Sequence, residues 1–150
     1  MTLRCEIATQ DKLLFQGDVD IVVAPTTLGE LGILPNHTPL LTKLDYGVLK
    51  IRHGGIEELF TVSGGVLEAR PDMVIVLADV GEHIDEIDYE RAEAARRRAE
   101  DLLKQIPSRN TEEYLAVEAA LRRSMLRLEA VQRFRRTSRR RSRRDSVEDT

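Results

Sequence analysis

Val48-Leu49-Lys50-Ile51-Arg52-His53-Gly54-Gly55-Ile56-Glu57-Glu58-Leu59-Phe60-Thr61-Val62 is a pair of strand-like runs joined by two glycines, and its reading decides the fold of the first half of the chain. Glycine reaches positive φ without a steric penalty, so Gly54-Gly55 predicts a tight β-hairpin. Outward from it lie further apolar runs, Leu3 to Ala8, Val19 to Val23 and Met73 to Ala78. Gly17-Asp18, Asp45-Tyr46-Gly47, Ser63-Gly64-Gly65 and Pro71-Asp72 punctuate them as turns, with Ser63 read as a turn residue. Leu3, Cys5 and Ile7 alternate with Arg4 and Glu6, the pattern of a strand with one wet face. Met73 to Ala78 is apolar throughout, which predicts burial on both faces. Turns at this spacing imply a sandwich or barrel over residues 1–84, a domain small enough to favour docking against something else.

The second half is built differently. All nine glycines lie between Gly17 and Gly81, whereas residues 85–150 hold no glycine and one proline, Pro107. The 150 residues carry 23 Lys+Arg and 26 Asp+Glu, a net charge of −3 that is unevenly spread. Residues 1–84 have 6 basic and 12 acidic groups, residues 85–132 have 9 and 11, and residues 133–150 have 8 and 3. A single cysteine, Cys5, excludes an internally stapled scaffold. No run approaches the roughly 20 apolar residues of a membrane-spanning helix, and the first residues do not read as a secretion signal, so the chain reads as cytoplasmic.

From Asp88 to Ile106 no residue breaks a helix, and Ala92, Ala95, Ala99, Leu102 and Ile106 recur on one helical face. Asp85 or Asp88 can cap its start, because a carboxylate there accepts from free backbone N–H groups and faces the positive end of the helix dipole. Pro107 ends it. Asn110 with Glu113 has capping-box spacing for a second helix, whose stripe is Val117, Leu121, Met125 and Leu128. So short a turn predicts an antiparallel hairpin. An alanine-rich stripe supplies little apolar area, so the hairpin is expected to depend on an external surface, and both helices have the intrinsic propensity to persist if the pair comes apart, which makes the hairpin a candidate switch.

Three blocks carry a family pattern: Gly29-Glu30-Leu31-Gly32-Ile33-Leu34-Pro35-Asn36-His37-Thr38-Pro39-Leu40-Leu41, then Ser63-Gly64-Gly65-Val66-Leu67-Glu68, then Pro71 through Leu77-Ala78-Asp79. With them the chain resembles, from about residue 2 to about residue 135, the epsilon subunit of bacterial rotary ATP synthases. The resemblance implies an α+β fold, a ten-stranded β-sandwich followed by an antiparallel two-helix hairpin; the basic tail beyond it departs from the family. It implies a non-catalytic subunit of the central stalk, bound to the gamma subunit and the c-ring of a proton-translocating enzyme. It further implies contact with the catalytic alpha/beta head when the helices extend to restrain ATP hydrolysis, and a peripheral place on the cytoplasmic face of the cell membrane. The loop carrying Glu30 and His37 is expected at the c-ring and gamma contact. Ile87-Asp88-Tyr89-Glu90-Arg91-Ala92 fits the motif by which some members bind ATP as a regulatory ligand. Carried over residue by residue, that site comprises Glu82, Asp88, Arg91, Arg98, Arg123 and Arg127; no cofactor is otherwise required.

Spacing supports the same residues independently. Arg91 and Arg98 lie two turns apart and Arg123 and Arg127 one turn apart, so each pair shares a helix face. Folding the hairpin about Pro107 to Asn110 predicts Arg91 level with residues 124–127. Gathered guanidinium groups repel unless carboxylates such as Glu90, Glu93 and Glu118, or an anion, offset them, and their forks suit phosphate oxygens. No GxxxxGK[ST] loop is present, so the site holds ATP without hydrolysing it. His37, His53, His83 and Cys5 lack metal-ligand spacing, and no metal is expected. No nucleophile, base and orienting group assemble into a catalytic set.

Arg133 to Arg144 holds 8 arginines in 12 residues and no acid. The region 133–150 reads as a disordered, solvated tail, able to meet acidic lipid headgroups or acidic protein surfaces. A nucleic-acid-binding protein acting through this tail is the alternative from another class; the acidic sandwich argues against it. The domain reading is therefore 1–84 sandwich, 85–132 hairpin and 133–150 tail.

Overall fold

A computed structural model describes residues 1–134 in full and the backbone alone from 135 to 148. The chain forms two compact units, Met1–Glu86 and the residues from Ile87 onward. The first holds strands β1 (Leu3–Ala8), β2 (Leu13–Val19), β3 (Ile21–Thr26), β4 (Gly29–Ile33), β5 (Leu40–His53), β6 (Ile56–Ala69), β7 (Met73–Ala78) and β8 (Gly81–His83), ending in a 3-10 turn, Ile84–Glu86. The second holds helices α1 (Tyr89–Gln105) and α2 (Glu112–Glu148). Where the sequence places the start of a disordered tail, at Arg133, α2 instead continues as helix, with its backbone described to Glu148; residues 149 and 150 lie outside the described residues.

One sheet runs in the order β2-β1-β7-β6-β5-β3-β4, with β8 also paired to β6. The central hairpin is as its sequence predicts: His53 pairs with Ile56 across Gly54 and Gly55, whose φ values are +57° and +78°. β5 and β6 are each 14 residues long, and their two halves face different neighbours. Gly65 to Ala69 pair with β7, while Phe60 to Val62 pair with β8. The bend between them falls at Gly64 and Gly65, with φ of +81° and +125°. β3 accommodates the same bend by a register shift between Val23 and Thr26, and at Gly47 of β5 a Cβ would come within 2.6 Å of Pro25. The sheet thereby folds over itself into a sandwich. The count is eight strands rather than ten, because β5 and β6 each pass through both layers and serve twice. Ser63, expected in a turn, lies buried within β6, its N–H donating to the Val80 carbonyl.

Every strand but the short β8 contributes to one core, in which Leu3, Ile7, Ile33, Leu49, Ile51, Phe60 and Leu67 are almost fully buried. In β1 the alternation of Leu3, Cys5 and Ile7 inward is as expected. In β7 only Val74, Val76 and Ala78 are buried; Leu77 is 55% exposed, so the strand covers one face and not two. Leu77 pairs with Val66 on one side and Ala8 on the other, and this outward row of apolar side chains explains the uninterrupted apolar run.

Cys5 has no solvent exposure, and burial, with Glu6 adding to it, pushes its thiol from the ordinary 9.0 up to about 12. Because the folded value is raised, the thiol contributes nothing to pH dependence below about 9; above it the unfolded chain ionises first and stability falls as pH rises toward 12. Iodoacetamide at pH 8 is expected to leave the native thiol unmodified and to alkylate it once denaturant unfolds the sandwich.

Candidate functional site

Helix α1 starts at Asp88, whose extended backbone places its Oδ1 to accept the Arg91 N–H at 3.1 Å. It stops at Ile106, held extended by the following Pro107. The cap of α2 is Thr111 and not Asn110: the Thr111 hydroxyl oxygen accepts from the Tyr114 N–H at 3.1 Å and donates to the Ser108 carbonyl at 3.2 Å. The buried stripe of α1 runs through Ala92 and Ala99 to half-buried Leu103, leaving Leu102 47% exposed. In α2 the stripe passes through Ser124, Leu128 and Val131, leaving Met125 54% exposed. Ala92, Ala99 and Leu128 are buried as the sequence predicts; the stripes depart from it at Leu102 and Met125, where the adjacent Leu103 and Ser124 face inward instead.

The two helices pack against each other, and the Tyr89 hydroxyl accepts from Gln132 Nε2 at 3.4 Å. Counting along both helices from that contact puts Arg98 about level with Arg123, and Arg91 about level with residue 130. The expected level of Arg91, 124–127, is therefore displaced by about one turn, since the connection extends to Thr111. Arg91 and Arg98 are exposed, Arg123 and Arg127 half-buried. Asp88 stands on the same helix as Arg91, whereas Glu82 lies on β8 in the other unit.

The carboxylates of α1 are engaged elsewhere. Arg96 binds Glu93 at 2.5 Å and Glu100 at 2.8 Å, and Arg97 reaches Glu93 at 3.4 Å. The Arg96 hydrogen bond holds the Glu93 carboxyl below its ordinary range, and the same bond raises Arg96. On α2, Arg133 pairs with Glu129 at 2.6 Å. Among the described residues, no ion pair involves Arg91, Arg98 or Arg123. Three guanidinium groups on facing helices, two of them level, thus lack a carboxylate.

Glu30 is exposed on the edge strand β4 opposite Pro25, a strand where a loop was expected. His37 follows in the connection to β5, its Nδ1 2.6 Å from the Thr38 carbonyl. Asn36, at φ +65°, donates its N–H to the Pro71 carbonyl at 2.7 Å and orders this stretch. Among the described residues, no group of three His, Cys, Asp or Glu is placed to hold a metal, and no helix is long and apolar enough to cross a membrane.

Sequence reasoning overlooked a polar cluster at the sandwich rim. Glu58 Oε2 lies 2.6 Å from His53 Nε2, and its Oε1 lies 3.2 Å from His83 Nε2. Period-two spacing from buried Phe60 puts Glu58 on the core face, where a carboxylate needs partners; that spacing was the available signal.

Comparison with known proteins finds consistent likenesses. Residues 2–84 match the family described as ATP synthase, Delta/Epsilon chain, beta-sandwich domain, and residues 85–132 match ATP synthase, Delta/Epsilon chain, long alpha-helix domain. The chain is 45% identical over 135 residues to an ATP synthase epsilon chain of Dehalococcoides mccartyi, covering 89% of this chain and 94% of the relative. It is 42% identical over 132 residues to one of Halalkalibacterium halodurans, covering 88% and 98%. Among solved structures, a chain of the Euglena gracilis mitochondrial ATP synthase superposes with a TM-score of 0.73 at 26% identity, covering 87% of this chain and 81% of that one. A chain of the Tetrahymena thermophila mitochondrial ATP synthase central stalk and c-ring shares the fold, with a TM-score of 0.53 at 19% identity.

Proposed function

The chain belongs to the ATP synthase delta/epsilon chain family, as an epsilon subunit of the central stalk of a rotary complex, and from that premise we propose that its helical hairpin binds ATP, which holds the hairpin folded. The observation that carries this reading is the set of arginines without carboxylate partners, Arg91, Arg98 and Arg123, two of them level across the helix pair. Phosphate oxygens satisfy such a set with charge-assisted forked hydrogen bonds. Arg127 extends the set by one turn, and Asp88, at the start of the same helix as Arg91, adds an acceptor for ribose hydroxyls or the adenine amino group.

In this reading the subunit is structural and regulatory, with the chemistry carried out by the catalytic head. The sandwich docks on the gamma subunit and the c-ring, with the segment of Glu30 and His37 at that contact, on the cytoplasmic face of the cell membrane. When released, the helices extend toward the alpha/beta head and restrain hydrolysis. A ligand shifts such an equilibrium only by its preference for one state. If ATP binds the folded hairpin alone, a concentration 100 times its dissociation constant favours that state by about 2.7 kcal/mol.

Isothermal titration of the full chain with ATP, with and without Mg²⁺, tests the site. Saturable heat is expected, weakened about 100-fold or more in an Arg91→Ala, Arg123→Ala variant, since each lost hydrogen bond to a charged group is worth roughly 1.5–3 kcal/mol. No heat from the folded wild type, or equal heat from the variant, removes ATP from the account.

A further inference from the structure

His83 is the last residue of β8, and the turn Ile84–Glu86 that follows it closes the first compact unit. Its ring is tied at both nitrogens. Nε2 faces Glu58 Oε1 at 3.2 Å, and Nδ1 accepts the backbone N–H of Asp85 at 3.1 Å. A carboxylate only accepts and a backbone N–H only donates, so this geometry requires the neutral ring with its hydrogen on Nε2. Every polar atom of the imidazole is then matched.

Protonation breaks the match at one end. A proton taken from solvent adds N–H to Nδ1, and two donors then face each other across 3.1 Å. The Asp85 carboxylate, whose Oδ2 is 3.6 Å from the same nitrogen, is the acceptor within reach. One residue thus offers Nδ1 a donor for the neutral ring and an acceptor for the charged one. We propose that His83 is a proton-operated latch on the turn Ile84–Glu86: neutral, it holds the Asp85 amide; charged, it releases that amide and draws in the Asp85 side chain.

The surroundings are set for such a device. Glu58 on β6 and Asp85 on the turn are the carboxylates that face the ring. His53 on β5 shares Glu58 and opposes it when itself charged, while Lys12, before β2, sits 3.3 Å from Glu86 on the same turn. Glu82 is the neighbouring charged residue on β8. The Phe60 ring lies at 4.9 Å, edge to face, and fixes the imidazole plane, and buried Ile84 pins the turn next to the moving bond. Histidine is the side chain whose ordinary charge change falls between about pH 5 and 8. This inference rests on the sandwich alone and stands whether or not ATP binds the hairpin.

NMR titration of the full chain from pH 8.5 to pH 5, at values where it stays folded, tests the latch. At the alkaline end the His83 ring is expected as the Nε2–H tautomer. On acidification the Asp85 amide resonance should move with the same midpoint as the His83 ring, and its hydrogen-exchange protection should fall by roughly fivefold, the equivalent of one ordinary hydrogen bond. Glu58→Gln keeps an acceptor but removes the charge, and should carry both transitions together to lower pH. An Nδ1–H tautomer at high pH, or an Asp85 amide indifferent to His83 titration, overturns the proposal.

Discussion

Replacing Gly65 by valine is expected to remove most or all of the stability of the sandwich. A Cβ built there lies 2.1 Å from the Leu77 carbonyl oxygen and 2.8 Å from the Ala78 Cα, both backbone atoms of the paired strand β7. Its φ of +125° adds strain for any side chain with a Cβ. Relief requires parting β6 from β7 in the middle of the sheet. A loss of about 4 kcal/mol or more follows, against the roughly 5–15 kcal/mol by which a domain of ordinary stability is held. Gly54→Ala is the control. Gly54 also has positive φ, +57°, but nothing lies within 4 Å of its added Cβ. The left-handed penalty alone applies, roughly 1–2 kcal/mol. Equilibrium urea unfolding of both variants measures the difference; equal losses would show that Gly65 serves as a flexible turn residue and not as the close contact on which the bend depends.

Phe60→Ala is the second large effect. Phe60 has no exposed surface, and its ring lies 6.5 Å from that of Phe15 and 4.9 Å from that of His83. Truncation removes most of a ring from a close-packed interior and leaves a cavity that rigid strands on both sides cannot collapse, at a cost of about 3–5 kcal/mol. For a domain of this size that corresponds to a fall in melting temperature of roughly 15–30 °C. The same substitution frees the His83 ring plane, so the Asp85 amide should lose exchange protection at alkaline pH as well. A change below about 1 kcal/mol would mean that the core repacks around the gap.

How far the residues alone reveal this molecule depends on where the deciding interaction lies. The Gly54-Gly55 hairpin, the alternation in β1 and the Asp88 cap are local: each rests on a few neighbouring residues and was legible. The Gly29 to Ile33 segment of β4, with two glycines among five residues, has little strand propensity of its own and reads as a loop; pairing with β3 makes it a strand. The exposed Leu77 was misread for the opposite reason, since an apolar run tells nothing of which face remains uncovered. In the helices, Leu102 against Leu103 and Met125 against Ser124 differ by one residue around the helix, and the choice is made by the partner helix. The arginines of the hairpin were found by spacing, but which of them lack carboxylates depended on Arg96 drawing in both Glu93 and Glu100. The cluster of Glu58 with His53 and His83 joins residues up to 30 positions apart and follows only once the register of β5, β6 and β8 is known.

The central claim is that this chain is a stalk subunit whose sandwich docks on the gamma subunit. Co-expression of the full chain with the gamma subunit of the same enzyme, followed by size-exclusion chromatography with light scattering, tests it most directly. A stable one-to-one complex that survives purification is the expected result. A folded chain that elutes at the mass of a single copy, with gamma present and folded in the same sample, would contradict it.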